Sequence, residues 1–362
     1  MDEKINEFLE RHLDYLKDLI AQIATICSPT GREKIKAEFV FEKLKELGIN
    51  NAYIDEVGNV IYEHKVKEKA TLYCAHIDTV FNDITEIVPK VIDNKMYAPS
   101  IADNSSGIAG LLLMIKMIIE FKFDLPIIFA FDIGEEGLGN LNGMKYIMQK
   151  IGDKVSEVVA IDAWDLEKVV NRAVGSKRYR IIVKTEGGHS WEQFGSPNAI
   201  AIASNIITKI YKLNVPDKTT YNVGIIHGGS AVNSIAAETE FVLDIRSENQ
   251  DILDNLEKDI TKIIKSETNV EMILLGSRPS GGFEIQTEIE KRILKVRENM
   301  GIKTEFSSSS TDINISLSMK IPSINFGIVT GYKAHTINEY IELNSLETGI
   351  KQLAYFMIYD YL

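Results

Sequence analysis

The chain has 362 residues, of which 45% are hydrophobic and 25% charged, a composition typical of a globular protein large enough for two domains. Its net charge of −12 argues against nucleic acid or an anionic membrane surface as the main partner. Two cysteines, Cys27 and Cys74, are too few for a disulfide framework, and the first residues show no signal-peptide pattern, so we expect a cytoplasmic protein.

The first half of the chain alternates helices with short apolar segments, which predicts an α/β fold. Helices are predicted where apolar residues recur at helical spacing or form a long run, over 5–26, 33–47 and 108–119. Strands are predicted at shorter segments bounded by turn residues, over 52–55, 60–63, 70–75, 127–131 and 157–161. The helix over 108–119 is too short to span a bilayer, so no membrane segment is expected.

Carboxylate and imidazole side chains lie at or near the ends of three of these strands and at one helix start. In open α/β sheets, ligands bind at the carboxyl ends of the strands. Each residue alone also fits a solvent-exposed loop or a helix start, but the repetition indicates one shared site. The residues are His76, Asp78, Asp103, Glu135, Glu136 and Asp162.

The second half begins with a different pattern. From residue 177 the predicted order is β-α-β-β-α-β, the split βαβ or ferredoxin-like unit, which indicates an inserted domain over 177–285. The α/β pattern then resumes, so the main domain is predicted to be discontinuous, over 1–176 and 286–362. Its later elements are predicted as helices over 288–299, near 313 and over 345–359, and strands over 303–306 and 323–326.

His335, in the loop after the last predicted strand, supplies a second imidazole. Two imidazoles and three carboxylates suit two divalent cations, such as zinc, cobalt or manganese. If one carboxylate bridges, each cation receives three protein ligands, and a shared water becomes acidic enough to act as nucleophile. Glu135 then remains free to accept the proton of that water. The candidate ligands are His76, Asp103, Glu136, Asp162 and His335.

Nearly the whole chain resembles the M20 metallopeptidases, which include glutamate carboxypeptidases, peptidase T and acyl-amino-acid deacylases. In the main domain the resemblance rests on the six strand-end and turn residues and on His335 with Glu339. Within the insert it rests on three further segments: Gly187-Gly188-His189-Ser190, Gly228-Gly229-Ser230-Ala231-Val232-Asn233 and Asp244-Ile245-Arg246.

The resemblance implies a three-layer α/β catalytic domain with a mostly parallel sheet. It also implies an inserted ferredoxin-like α+β lid domain through which two chains form a homodimer. It implies that His76 and Asp162 hold one cation, that Glu136 and His335 hold the other, and that Asp103 bridges them. The peptide bond after Asp103 is expected to be cis, as in relatives.

The resemblance also assigns roles beyond the metal ligands. Glu135 is implied as general base and then as acid to the leaving amine, and Asp78 as the residue that orients His76. His189 is implied to reach the active site of the partner subunit and to stabilise the oxyanion. Asn233 and Arg278 are implied to bind substrate, the arginine through a carboxylate.

The predicted function is hydrolysis of the peptide bond of a small peptide by a metal-activated water. Two alternatives stay open: a deacylase of N-acyl amino acids that uses the same site, and a non-catalytic metal- or peptide-binding protein. The presence of Glu135 with all five ligands argues against the second. The turn after Asp103 lacks the lysine that many members carry, and Trp191 replaces a small residue, so aminopeptidase and carboxypeptidase specificity both remain open.

Overall fold

The computed structural model describes residues 2–361. Its helices are α1 Asp2–Ala24, α2 Lys34–Glu46, α3 Ser106–Phe121, α4 Asn142–Ile151, α5 Ala199–Ile210, α6 Gln250–Lys265, α7 Glu288–Met300, α8 Ile313–Ser318 and α9 Ser345–Met357. Its strands are β1 Tyr53–Ile54, β2 Val60–His64, β3 Ala70–His76, β4 Lys90–Ile92, β5 Lys95–Tyr97, β6 Ile127–Asp132, β7 Val155–Ala160, β8 Lys168–Ala173, β9 Gly175–Lys184, β10 Gly188–His189, β11 Thr219–Gly228, β12 Ser234–Ile235, β13 Glu238–Ser247, β14 Val270–Arg278, β15 Glu305–Ser309, β16 Ser323–Asn325, β17 Thr330–Tyr332 and β18 Tyr340–Glu342.

The chain forms two compact units. The larger unit, termed the catalytic unit after its predicted role, contains the residues up to Ala173 and those from Gly282 onward, and the insert is Val174–Gly281. The prediction was 177–285 for the insert, so each limit differs by a few residues.

The catalytic unit is built on a mostly parallel sheet. Within the described residues this sheet has eight strands in the order β1-β2-β6-β3-β7-β16-β8-β15. β3 pairs in parallel with both β6 and β7, which brings the carboxyl ends of all three strands to one edge. One face is covered by α1, α3 and α9, the other by α4 and α8. The predicted three-layer α/β fold is therefore confirmed.

The insert is ferredoxin-like, as predicted. Its described main sheet has the order β11-β13-β9-β14, and all neighbouring strands are antiparallel. Helices α5 and α6 contribute apolar residues to its core, including Ala203, Ile206, Leu253 and Ile260. β10 and β12 form a separate short ladder.

Several elements were not predicted. α4 is amphipathic but only ten residues long, and such a short helix depends on packing against the sheet rather than on its own propensity. β8 has a short apolar centre, Val169-Val170, and it is held by parallel pairing with β15. β15 extends to Ser309, beyond the predicted end at 306, because its backbone pairing continues through the serines. The strands β4, β5, β17 and β18 form a small separate sheet.

One segment of the described chain, Ile101–Phe121, meets the length and hydropathy criteria for a membrane span, with 78% of its most apolar window buried inside the protein. It comprises α3 and the turn before it, and it contacts α1, α9 and β3. A buried core helix meets the same criteria, and the packing of α3 identifies it as one.

A buried lysine in α2 predicts an unusual pH dependence of stability. Lys36 is 2% exposed, and desolvation lowers the pKa of its amine to about 8, although nearby Asp78 opposes this shift. Because the pKa is lower in the folded chain than in the unfolded chain, protonation opposes folding below about pH 8, and this opposition fades as the pH rises toward the unfolded value. We expect Lys36→Met to raise the free energy of unfolding by up to about 3 kcal/mol at neutral pH, and by much less near pH 10.

Denaturant unfolding at the two pH values tests this expectation. Lys34→Met is the matched control, because Lys34 lies on the same helix with its side chain 85% exposed. An equal gain at both pH values would contradict the lowered pKa of Lys36.

Candidate metal centre

The five candidate ligands converge at the carboxyl edge of the catalytic sheet. His76 is the last residue of β3, Glu136 follows β6, and Asp162 follows β7. Asp103 lies in the turn before α3, and His335 lies between β17 and β18. The adjacency of β6, β3 and β7 in the sheet is what brings residues from distant parts of the sequence together.

Asp103 lies between the two imidazoles. Its Oδ1 is 2.9 Å from His76 Nε2, and its Oδ2 is 2.9 Å from His335 Nε2. The side chains form two groups whose donor atoms lie within 4.8 Å of one another, His76–Asp103–Asp162 and Asp103–Glu136–His335. Asp103 belongs to both groups, as a bridging carboxylate requires. The Asp103–Asn104 peptide bond is cis, as the resemblance implies.

The carboxylates and imidazoles of the centre strongly affect one another's pKa values. Hydrogen bonding to Asp103 and Glu136 raises the pKa of His335 to about 11. Burial opposes ionisation of Asp103, but hydrogen bonds from His335 and His76 hold its pKa below its ordinary range. Without cations, protons on the imidazoles balance the charge of the carboxylates, and these imidazoles are donors that divalent cations bind in neutral form. Glu136 Oε1 is buried and lies 3.2 Å from His335 Nε2, so this carboxylate and this imidazole are close enough to bind one cation together.

Asp78 orients the turn that carries the two glutamates. Its Oδ1 accepts the backbone N–H of Glu135 at 2.9 Å, and its Oδ2 accepts that of Glu136 at 2.9 Å and the Thr30 hydroxyl at 2.8 Å. His76 Nδ1 lies 3.1 Å from the carbonyl oxygen of Asp78 and 3.5 Å from its carboxylate. The carboxylate therefore positions the Glu135-Glu136 turn as well as facing His76.

Asp78→Asn should lower kcat by about 10- to 100-fold, the usual effect of losing a residue that orients metal ligands. An amide has one acceptor oxygen, so it cannot accept both backbone N–H groups and face His76 as a carboxylate does. Steady-state kinetics at saturating metal measure the effect, and Thr30→Val, which removes one contact, should be milder. Wild-type kcat in Asp78→Asn would contradict this role.

Two further residues hold the ligands in place. Glu339 is fully buried and accepts the backbone N–H groups of Ser100, Ala102 and Asp103, at 3.1, 2.8 and 3.0 Å. Asn325 accepts the backbone N–H of Asp162 and donates to its carbonyl oxygen. Sequence reasoning assigned no role to Asn325. The sequence feature that could have indicated it is a single amide side chain at the otherwise apolar end of a buried strand.

Glu135 is 6% exposed and lies beside the ligands. One of its carboxylate oxygens is within 4.8 Å of donor atoms of His76 and Glu136. A carboxylate at this distance from the ligands is placed to exchange protons with a water at the metal centre.

Two of the three candidate residues of the insert, His189 and Asn233, lie close together, and the third, Arg278, is on another strand. His189 pairs with Ser234 in the β10–β12 ladder, and the carbonyl oxygen of neighbouring Asn233 accepts the backbone N–H of Ser190 at 3.1 Å. His189 Nδ1 accepts backbone N–H groups, so its Nε2 carries the proton and can donate. Arg278 is buried at the end of β14, opposite Ser176 on β9.

Comparison with known proteins finds similarity to peptidases. Residues 171–271 match the Peptidase dimerisation domain, M20_dimer, and residues 59–213 match Peptidase family M28. The uncharacterized protein YqjE of Bacillus subtilis is 25% identical over 90% of this chain and 92% of its own length. Carboxypeptidase G2 of Pseudomonas is 24% identical over 85% and 79%. The structure of a Staphylococcus aureus tripeptidase superposes with a TM-score of 0.80 at 24% identity, covering 95% of this chain and 97% of its own.

The fold, the donor set and these similarities define a metal-dependent hydrolase that acts on peptide bonds. More narrowly, the chain is similar to M20 metallopeptidases, because its insert matches the M20 dimerisation domain.

Proposed function

We propose that the chain is a di-metal peptidase that cleaves small peptides. His76 and Asp162 would hold one divalent cation, Glu136 and His335 the other, and Asp103 would bind both. The observation that carries the proposal is the position of Asp103, whose two oxygens each lie 2.9 Å from a different imidazole. Zinc is the expected metal, because imidazole and carboxylate donors suit it, and cobalt or manganese could replace it.

The bound cations would supply Lewis acidity, lowering the pKa of water and polarising the substrate carbonyl. Glu135 would take the proton of the attacking water and deliver it to the leaving amine. Asp78 would hold Glu135 in place through its backbone N–H. We assign His189 to oxyanion stabilisation from the partner subunit, supported by its donor Nε2, and Asn233 and Arg278 to substrate binding.

Small peptides are the proposed substrates because several similar proteins carry such names. They include the tripeptidase above, a dipeptidase of Saccharomyces cerevisiae and human carnosine dipeptidase 1.

Steady-state kinetics distinguish the proposed peptidase activity from the alternative deacylase activity. Dipeptides, tripeptides and N-acetyl amino acids would be compared on the metal-loaded enzyme, with release of the free amine as the readout. We expect turnover of peptides, and turnover of acylated compounds alone would contradict the peptidase assignment.

We also propose a homodimer formed through the insert, in the cytoplasm. The match of residues 171–271 to a dimerisation domain supports the dimer, and the unbridged Cys27 and Cys74 agree with a reducing compartment. Strand β11 lies at one edge of the insert sheet, where Ile225 and Ile226 are half-exposed. An exposed apolar edge strand is suited to pairing with a second copy.

Ile226→Glu should convert the dimer to a monomer, because a charge at this edge opposes burial of the strand. Light scattering after size-exclusion chromatography gives the mass. Leu274→Glu is the control, since Leu274 is equally exposed on β14, at the opposite edge of the same sheet. A monomeric wild-type chain, or a dimer lost only in the control, would refute the proposed interface.

A further inference from the structure

A second cluster of ionisable side chains is buried in the catalytic unit, outside the five-residue centre. Cys74 Sγ and one carboxylate oxygen each of Asp132 and Asp312 lie within 4.8 Å of one another. Cys74 is on β3, Asp132 ends β6, and Asp312 immediately precedes α8. All three are at most 1% exposed. We call them the Cys74 cluster.

The carboxylates of this cluster receive no hydrogen bond from any other side chain. Asp132 and Asp312 face each other, and their oxygens have no further side-chain hydrogen-bond partner among residues 2–361. Asp312 occupies the N-cap position of α8, yet its side chain does not cap the helix. The Asp312 carboxylate is therefore available to the cluster and not committed to the helix end.

Two buried carboxylates this close together need either a shared proton or a cation between them. One proton shared by the two carboxylates would join two of the four oxygens and leave the other two without a donor. A divalent cation can bind oxygens of both carboxylates and the sulfur together.

We propose that Cys74, Asp132 and Asp312 bind a further divalent cation, separate from those of the five-residue centre. The sulfur donor selects zinc or cobalt over magnesium or calcium. On binding, the Cys74 thiol gives up its proton to solvent and ligates as thiolate. The ion would link β3, β6 and the start of α8 just below His76, and so stabilise the sheet edge that carries the catalytic centre.

Cobalt loading tests the proposal through a readout that does not depend on catalysis. A thiolate bound to Co²⁺ gives a charge-transfer absorption in the near ultraviolet, which imidazole and carboxylate donors do not give. Metal-free protein titrated with Co²⁺ should bind about three ions per chain and develop this band. The five-residue centre contains no cysteine, so the band appears whether or not that centre binds two ions or catalyses hydrolysis.

The two cysteines provide matched variants. Cys74→Ser should abolish the band and release about one ion per chain, whereas Cys27→Ser should retain both. Asp312→Asn keeps the thiol but removes a charged ligand, and it should weaken the cobalt affinity read from the band by about 10- to 100-fold. Circular dichroism verifies that each variant folds.

Three results would overturn the proposal. They are a wild-type chain that binds cobalt with no thiolate band, a band that survives Cys74→Ser, and an unchanged affinity in Asp312→Asn. The first result would indicate that Asp132 and Asp312 share a proton and bind no cation.

Discussion

Replacing Glu135 with glutamine should lower kcat by about 10²- to 10⁴-fold while the metal content stays near that of the wild type. The amide has almost the shape of the carboxylate but cannot accept the proton of the attacking water. Because Glu135 is not a candidate ligand, its loss leaves the donor set intact. Single-substrate kinetics and elemental analysis of the same preparation measure the two quantities.

The adjacent residue provides the control. Glu136→Gln changes the same group one position along the chain, but it removes a candidate ligand, so metal content should fall together with activity. Both backbone N–H groups bond Asp78 in the same way, so the two variants differ in the role of the side chain and not in the support of the turn. Turnover of Glu135→Gln at the wild-type rate would exclude Glu135 as the general base.

Replacing Asp103 with asparagine should reduce metal binding at both positions and abolish measurable turnover. A carboxylate offers one oxygen to each cation, whereas an amide offers one oxygen and an NH₂ group that cannot ligate. The side chain volume is nearly unchanged, so the fold should survive. Metal content per chain, measured after dialysis against a weak chelator, should fall well below that of the wild type.

Asp165→Asn is the matched control for this change. Asp165 lies three residues after Asp162, but its side chain is half-exposed, and it belongs to none of the groups of side chains able to hold a metal among the described residues. Its substitution should leave metal content and kcat unchanged. Full metal occupancy in Asp103→Asn would contradict the bridging position and with it the arrangement of the centre.

Sequence patterns predicted the elements best where periodicity or apolar runs were long. The buried strands β3, β6 and β7 and the helices α1 and α7 were all predicted within a few residues. The short α4 and β8 were not, because their stability comes from neighbours that the local sequence does not contain. Asn325 and the Cys74 cluster were missed for the same reason, since their importance depends on side chains far away in the sequence.

The sequence by itself determined which chemical groups follow each strand: imidazole and carboxylate after β3, two carboxylates after β6 and one after β7. The strand order was decided only in the folded chain, because hydrogen bonding between strands distant in sequence places β3 between β6 and β7. That order directs the Asp78 carboxylate to the Glu135-Glu136 turn. Contacts of the turn before α3 with β17 and β18 place Asp103 between His76 and His335. The fold also buries Cys74, Asp132 and Asp312 within 4.8 Å of one another, which makes these three side chains a candidate site for a cation.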